Sequence, residues 1–441
     1  MRNSRNSYSP GSTRRTALIC LVMAGAMVAG IGGLWWNAAM KTPHVVIPTP
    51  TLPTPNAFDF YVKASDAIVK YKEIGDASGT KPTVVLDLAH RKALVQPNLG
   101  AIGTLHQGFA YPYVNPPVRS LETLFPYYAK FRGMARLLSM QGKIRSEEGD
   151  WSGAMESDLD AMRIGADIPH GSVLIGQLVG IACQAIGRRP MWNSVDRLTA
   201  AQSRSAAMRL ESIMDRQVPF ADTMQEEKWL GQSTLLELFN DPKKTAAFLA
   251  AVSESDSEAS QKTPAANPNV GVLFYLTHSK SRIMRDYTTW MDKSAGIARQ
   301  PYGLHLPSPP VPDDPLNKVL VDAFSQPRMK GLDNETQNGL MLLTLALHAY
   351  HLEQGHYPAS LTELAPTYLK KLPNDPFAVG GTFLYHARGT NYVLYSVGPD
   401  GKDDGGTPID DAAQHSNSSP NARYFVNQDS IGDVVAGKNI F

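Results

Sequence analysis

Apolar residues recur at helical spacing along most of this chain, in blocks separated by proline-rich breaks, and only near the C-terminus does the period shorten to two. The first block, ALICLVMAGAMVAGIGGLWW at residues 17–36, runs twenty residues without a charge. At about 1.5 Å per residue a helix of that length crosses a hydrocarbon core of about 30 Å, so the block reads as a membrane span. Asn56 can cap a following helix whose apolar positions are Phe58, Tyr61, Val62, Ile68 and Val69. Residues 120–239 keep helical spacing throughout, with one stripe at Phe131, Met134, Ala135, Leu137 and Leu138 and another at Met155, Leu159, Met162 and Ile164. VLIGQLVGIAC, residues 173–183, is apolar on nearly every side, which predicts a buried central helix too short to span a bilayer. Further helices are expected at 270–298 and 316–324.

The pattern changes in the last hundred residues. A helix is predicted over 334–355, with Leu340, Leu343, Leu347 and Tyr350 on its buried face and Gly355 as its stop. After a turn at Tyr357-Pro358, Ser360 and Glu363 have the spacing of a capping box. Two short runs, 382–386 and 392–397, flank Arg388-Gly389 as the strands of a hairpin. The expected fold class is therefore a mainly α extracytoplasmic body with an N-terminal transmembrane helix, followed by a C-terminal α+β module in which a long helix packs on a small antiparallel sheet.

The breaks set the boundaries. Residues 42–56 hold five prolines and read as an extended stalk. Residues 81–117 read as loop with a minor extended piece at Thr83 to Leu86. Residues 253–269, rich in Ser, Ala, Pro and charge, read as a flexible loop, and 299–315 place six prolines in seventeen positions. The resulting division is a cytoplasmic tail 1–16, a signal anchor 17–36, a stalk 37–56, a helical domain 57–298, a connection 299–333 and a module 334–441.

Charge narrows the function. Lys plus Arg number 42 against 41 Asp plus Glu, so no basic excess draws the chain onto nucleic acid. Arg2, Arg5, Arg14 and Arg15 precede the apolar block and Trp35 and Trp36 close it, which orients a single-pass helix with its N-terminus in the cytoplasm. The competing reading is a cleaved signal peptide, which has a shorter core and a small-residue site, and Trp36-Asn37-Ala38-Ala39 supplies no good one. The bulk of the chain is expected outside the cytoplasm, anchored in a bacterial inner membrane. Cys20 and Cys183 lie far apart and provide no disulfide framework.

Few motifs carry chemistry. His348, His351, Glu353 and His356 crowd one helix end, but HLEQGH is not HExxH and Gly355 interrupts it. Glu226-Glu227 and Asp313-Asp314 are adjacent pairs without assignable partners. GDWSGAMESDLDAMRIG, residues 149–165, resembles the turn and second helix of a tetratricopeptide unit, but no second copy follows at the 34-residue period, leaving a helical hairpin. No phosphate loop, dinucleotide fingerprint or nucleophile elbow is present. The acidic stretch YSVGPDGKDDGG, residues 395–406, with Asp410 and Asp411 beyond it, has enough oxygens for calcium, yet Lys402 and the lack of flanking helices exclude an EF-hand.

YHLEQGHYPASLTELAPTYLKKLPNDPF followed by NYVLYSVGPDGKDDGG resembles the C-terminal part of the major pseudopilin of type II secretion, the protein G family. The resemblance covers about residues 334–411 and rests on a Gly-x-Tyr-Pro turn, an Asp-Pro-aromatic phrase and a Tyr-Ser-x-Gly-x-Asp-Gly strand end. It implies a calcium loop whose ligands include the Val397 carbonyl, Asp400 and the later pair Asp410 and Asp411. The processing phrase and filament-forming N-terminal helix of that family have no counterpart adjoining the module, so the resemblance implies a folding unit, not a filament subunit. The expected role is structural or interactive, with the membrane and an envelope protein as partners. The alternatives are an extracytoplasmic enzyme with a cleft between body and module, and a pseudopilus component.

Overall fold

The computed structural model describes residues 10–69, 87–120, 122–255, 268–321, 325–411 and 424–440. It is mainly helical, with one small antiparallel sheet near the C-terminus. The chain divides into two compact units, one of Met1–Val46, Gln232–Thr289 and Val311–Leu320, the other of Ile47–Gly231, Trp290–Pro310 and Val321–Phe441.

In the first unit, helix α1, Pro10–Met40, runs unbroken through the apolar block. Its side chains are described at Leu21, Met23, Ala26, Met27 and 29–40, and over the described residues no helix is long and apolar enough to cross a membrane. Leu21, Met23, Met27, Ile31, Leu34, Trp35 and Trp36 are all exposed. The expected stalk has no regular structure over 42–53, and the flexible loop expected at 253–269 falls largely outside the described residues.

The single helix expected at 270–298 is corrected by the structure. The sequence reads there as one helix, but the chain forms two, Pro268–Thr277 and Lys280–Ala298. The interruption is local: the Ser279 hydroxyl accepts the Arg282 amide at 3.3 Å and starts the second helix. Buried Tyr275 hydrogen-bonds Thr245 at 2.9 Å, and Lys280 donates to the Phe239 carbonyl at 2.5 Å.

Among the described residues the second unit carries two large cores and one small cluster of Val118, Val173 and Leu230. After α2, Ala57–Asp66, capped by Asn56 as expected, come α3, Leu88–Val95, and α4, Leu99–Gly108. These overturn the loop expected at 81–117, of which Thr83 to Leu86 lie outside the described residues. Asp87 caps α3 through the His90 amide at 2.8 Å, and Ala101, Ile102 and Leu105 are buried on α4 while Gly100 and Gly103 face open space. Burial of one apolar face overrides the weak propensity of its glycines.

Helices α5, Pro126–Glu147, α6, Trp151–Asp167, and α7, Leu174–Met191, then pack against one another. Gly149, at φ +84°, turns the chain between α5 and α6, and Asp150 caps α6 through the Gly153 amide at 2.9 Å, as a helical hairpin requires. The α6–α7 contact is closed by glycine. A Cβ on Gly180 would lie 2.5 Å from the Gly165 carbonyl oxygen, and one on Gly165 would lie 2.7 Å from the Gln184 nitrogen. This face adjoins a core of Tyr61, Leu105, Phe131, Leu138, Ile164 and Cys183. Burial pushes the Cys183 thiol up to about 12, so it behaves as a packed apolar group.

Helix α8, Ala200–Met214, and helix α14, Ser325–Gln354, close the other core. We number the intervening helices Phe220–Asn240, Pro242–Ser255, Pro268–Thr277, Lys280–Ala298 and Pro315–Val321 as α9 to α13. Met155, Leu159, Leu210, Leu340, Leu343 and Leu347 join Phe377, Phe383, Leu394 and Val434 in one cluster. The C-terminal helix and sheet thus share a core with the helical body. Ser360 and Glu363 form the expected capping box, on a single 3-10 turn, Leu361–Leu364. Strands β1, Leu384–Arg388, and β2, Asn391–Ser396, pair antiparallel around Gly389, and β3, Val434–Val435, adds to β2. The pattern anticipated the hairpin. Two residues of β3 are too few to register a period.

Gly165→Ala is expected to destabilise the chain by about 1–3 kcal/mol because the methyl has no room, whereas Gly103→Ala on the open face of α4 leaves it unchanged or raises stability. Thermal and urea unfolding of the two variants checks this.

Candidate functional site

The acidic loop is held mainly by protein donors. Asp375, buried, accepts from the Ser396 hydroxyl at 2.7 Å, the Phe377 amide at 3.0 Å and the Val397 amide at 3.1 Å. Asp433, also buried, accepts from the Gly406 amide at 2.7 Å and the Asp404 amide at 3.4 Å. Burial pushes the Asp433 carboxyl up to about 6; the two amides oppose this, and Asp404 and Asp403 add to it. Asp403 takes the Tyr395 hydroxyl at 3.0 Å, and Asp411 takes the Ser430 hydroxyl at 2.9 Å.

Of the ligands implied by the pseudopilin resemblance, Val397 points its amide at Asp375, Asp410 is exposed and Asp411 faces Ser430. Asp400 binds the Lys402 amide through Oδ1 at 3.2 Å, while its Oδ2 is buried with no hydrogen-bond partner among the described residues. Among the described residues no group of three or more His, Cys, Asp or Glu is placed to hold a metal ion, so Asp400, Asp410 and Asp411 are not gathered into one. The residues that organise the loop are Asp375 and Asp433. The sequence marked Asp375 only as part of the Asp-Pro-aromatic phrase and Asp433 not at all, since one stands twenty residues before the loop and the other beyond it.

The histidines also separate. His348 approaches the Leu198 carbonyl at 3.1 Å, His351 stacks on Tyr357 and Glu353 pairs with Arg204. Glu227 accepts the first amide of α7, Leu174, at 2.8 Å, and Glu226 pairs with Arg119 at 3.1 Å. Asp314 caps α13 through the Asn317 amide at 3.0 Å. These acids stabilise helix ends and one ion pair.

What the structure does assemble is a buried polar seam between α7 and α14. Arg188, 5% exposed, donates to the side-chain oxygens of Asn334 at 2.8 Å and Asn338 at 2.7 Å. Gln184, one turn back on α7, accepts from both asparagines, at 2.9 and 2.6 Å, and from Gln217 at 3.0 Å. From α14 the seam continues through Gln337 to the Asn439 carbonyl, and Asn439 donates to the carbonyls of Ile409 at 3.0 Å and Tyr424 at 3.2 Å. Burial lowers Arg188 to about 10, opposed by the Asp333 carboxylate; burial in turn raises Asp333 to about 6, opposed by Arg188. The sequence carried a signal, since residues 333–338, DNETQN, are six consecutive polar positions directly ahead of the apolar run GLMLLTLAL in α14. Gln184 and Arg188, and Asn334 and Asn338, both have the i,i+4 spacing that places two side chains on one face.

Beside the seam lies a cavity of about 260 Å³ bordered by Phe220, Arg299, Arg328, Leu332 and Glu335. Burial pushes the Glu335 carboxyl up to about 7, so it exchanges a proton near neutrality. Arg328 is fixed at the rim by the Ile297 carbonyl at 3.2 Å and lies over the Tyr302 ring at 5.5 Å. A carboxyl poised near neutrality is suited to proton transfer or to receiving a cationic group, with the arginines opposing the latter.

Comparison with known proteins yields no matching family model, curated protein or solved structure. The geometry alone carries the functional argument.

Because the folded Glu335 holds its proton more tightly than the usual carboxylate, its contribution to stability falls as pH rises from about 4.5 to about 7 and is flat above that. Asp333 and Asp433 add the same sign of slope between about 4 and 6. Glu335→Gln is expected to flatten the stability slope between pH 6 and 7.5 and to raise the unfolding midpoint at pH 8, measured by urea titration at each pH.

Proposed function

We propose that this chain is a single-pass membrane-anchored protein of the bacterial envelope, with α1 in the inner membrane, its N-terminus in the cytoplasm and the remainder outside, serving a structural or protein-interaction role. The observation that carries this reading is α1: one unbroken helix through a twenty-residue uncharged run whose described large apolar side chains are exposed to solvent. Arg14 and Arg15 before that run and Trp35 and Trp36 at its end supply the orientation. Exposed leucine, methionine and tryptophan on a long helix are stable only against lipid or another apolar surface.

The C-terminal helix and sheet are, in this reading, a pseudopilin-like folding unit. Its order of helix, tight turn, hairpin and acidic loop supports the resemblance, as does the organising role of Asp375 in the Asp-Pro-aromatic phrase. Calcium in the acidic loop draws support from the buried Oδ2 of Asp400, an oxygen that lacks a donor among the described residues. Val397, Asp400, Asp410 and Asp411 remain the ligands proposed. The ion would tie the loop to the sheet and supply stability by binding the folded state alone.

One observation favours a second reading, an extracytoplasmic enzyme: the Glu335 cavity pairs a carboxyl of raised affinity for protons with two arginines. It lacks a second acid, base or nucleophile among the residues that border it.

The anchor predicts that expressed protein stays in the membrane pellet after alkaline carbonate washing, and that its intact mass includes residues 1–36. A soluble protein, or a mass beginning after residue 36, would sink the anchor; a short processed leader would instead support a pseudopilus subunit. Calcium is expected to raise the thermal midpoint relative to chelator, by no more than about 2–4 °C for each kcal/mol because the loop belongs to the larger second unit, and Asp400→Asn to abolish the difference. No calcium-dependent shift in the wild-type chain would remove the ion from the proposal.

A further inference from the structure

The faces that α5 and α7 turn away from the core form the walls of a groove of about 660 Å³, within the range of pockets that enclose small organic ligands. Arg132, Arg136, Ser139 and Lys143 line it from α5 at spacings of four, three and four residues, so they occupy one face of the helix over about 16 Å. Ala182, Ala185 and Ile186 of α7 give it an apolar floor. Arg189, also from α7, and Asn193 just beyond it complete the rim. The two helices are in step: Gly142 of α5 and Gly187 of α7 both lie against Asp158 of α6, so Lys143 and Arg189 stand at the same end of the groove and Arg132 at the other.

The charge here is only partly offset by the surrounding protein, where the Asp333 carboxyl acts on Arg189. Among the described residues, no hydrogen bond or ion pair engages the charged ends of Arg132, Lys143 or Arg189, and the nearby acids on or beside α5 are paired elsewhere, Glu147 with Arg91, Glu148 with Lys92 and Asp66 with Lys130. Burial pushes the carboxyl of Asp158, behind Lys143, well above the usual carboxylate range, with Lys143 opposing the shift. Arg132 and Arg136 lie close enough for their field to reach the buried Cys183 thiol. Cations concentrated in a cleft with an apolar wall focus a positive potential on whatever enters it.

We propose that this groove binds a small soluble phosphate monoester, with its apolar body against Ala182, Ala185 and Ile186 and its phosphate among the guanidinium and ammonium groups. A dianionic phosphate matches several cations better than a single carboxylate does, and guanidinium groups bind it through paired charge-assisted hydrogen bonds. A lipid surface is the weaker occupant, because a face that docks on a bilayer presents exposed Trp, Phe or Leu. None of the groove's residues is among the exposed large apolar side chains.

Phenyl phosphate, inorganic phosphate and benzyl alcohol, titrated into the full chain in uncharged detergent at low salt, separate the contributions of charge and apolar contact. Phenyl phosphate is expected to bind saturably and at least about tenfold more tightly than inorganic phosphate, as burial of an apolar ring requires, with no saturable binding of benzyl alcohol. Arg132→Gln and Lys143→Gln should each weaken phenyl phosphate about tenfold, leaving the ligand-free thermal midpoint unchanged because both side chains are solvent-facing. Lys143→Arg should retain binding. Equal affinity for the two phosphates, no saturable binding of phenyl phosphate, or binding that survives the Arg132→Gln, Lys143→Gln double variant would each overturn the proposal. Binding confined to vesicles containing phosphatidic acid would overturn it in favour of a lipid surface.

Discussion

Arg188 is a guanidinium taken almost wholly out of water, and the contact of α7 with α14 is arranged around one of its terminal nitrogens, while its buried Nε has no partner among the described residues. An isolated buried charge costs several kcal/mol, and only well-placed hydrogen bonds offset it. Asn334 and Asn338 supply oxygens one helical turn apart, and Gln184 occupies their amide nitrogens. A slip of α14 by one residue would separate both asparagines from Arg188. The seam therefore sets the register of α14 on α7, which apolar packing among leucines and alanines would leave loose. Through Gln337 and Asn439 the same register reaches the segment that carries Ile409, at the edge of the acidic loop.

Helix α7 meets three environments at once. Its Gly180 and Gly187 lie against α6, close enough that backbone touches backbone; its Gln184 and Arg188 enter the seam; and Ala182, Ala185 and Ile186 line the groove facing α5. Small side chains make the first contact possible, and that contact brings α5 and α7 to either side of a shared neighbour. The groove exists because the middle helix is held so tightly.

The C-terminal sheet is small for its work. Three strands, one of two residues, bury few ladder hydrogen bonds, and buried carboxylates supply further anchors. Asp375 and Asp433 receive backbone amides from the two ends of the acidic loop. Both are raised above the usual carboxylate range because burial outweighs those amides. Glycine-rich turns thus gain fixed shape from acids that lie outside the turns themselves.

The sequence by itself determined the helical body, the hairpin around Gly389, the Asn56 cap and the Ser360 capping box, because each depends on residues within a few positions of one another. It misjudged residues 87–108, where glycine and proline obscured two helices stabilised by burial, and residues 268–298, where one hydroxyl divides a helix. It drew attention to the acids of the loop and to Asp375 only as part of a phrase, not to the way Asp375 and Asp433 organise the loop from a distance. Gln184 and Arg188 were visible only as polar residues in an apolar helix, and Arg132, Lys143 and Arg189 only as ordinary surface charges. Periodicity reports which face of an element is buried, but it does not report what that face meets. The partners of Arg188 lie some 146 and 150 residues away, so the seam, the groove and the shared core were decided by tertiary packing alone.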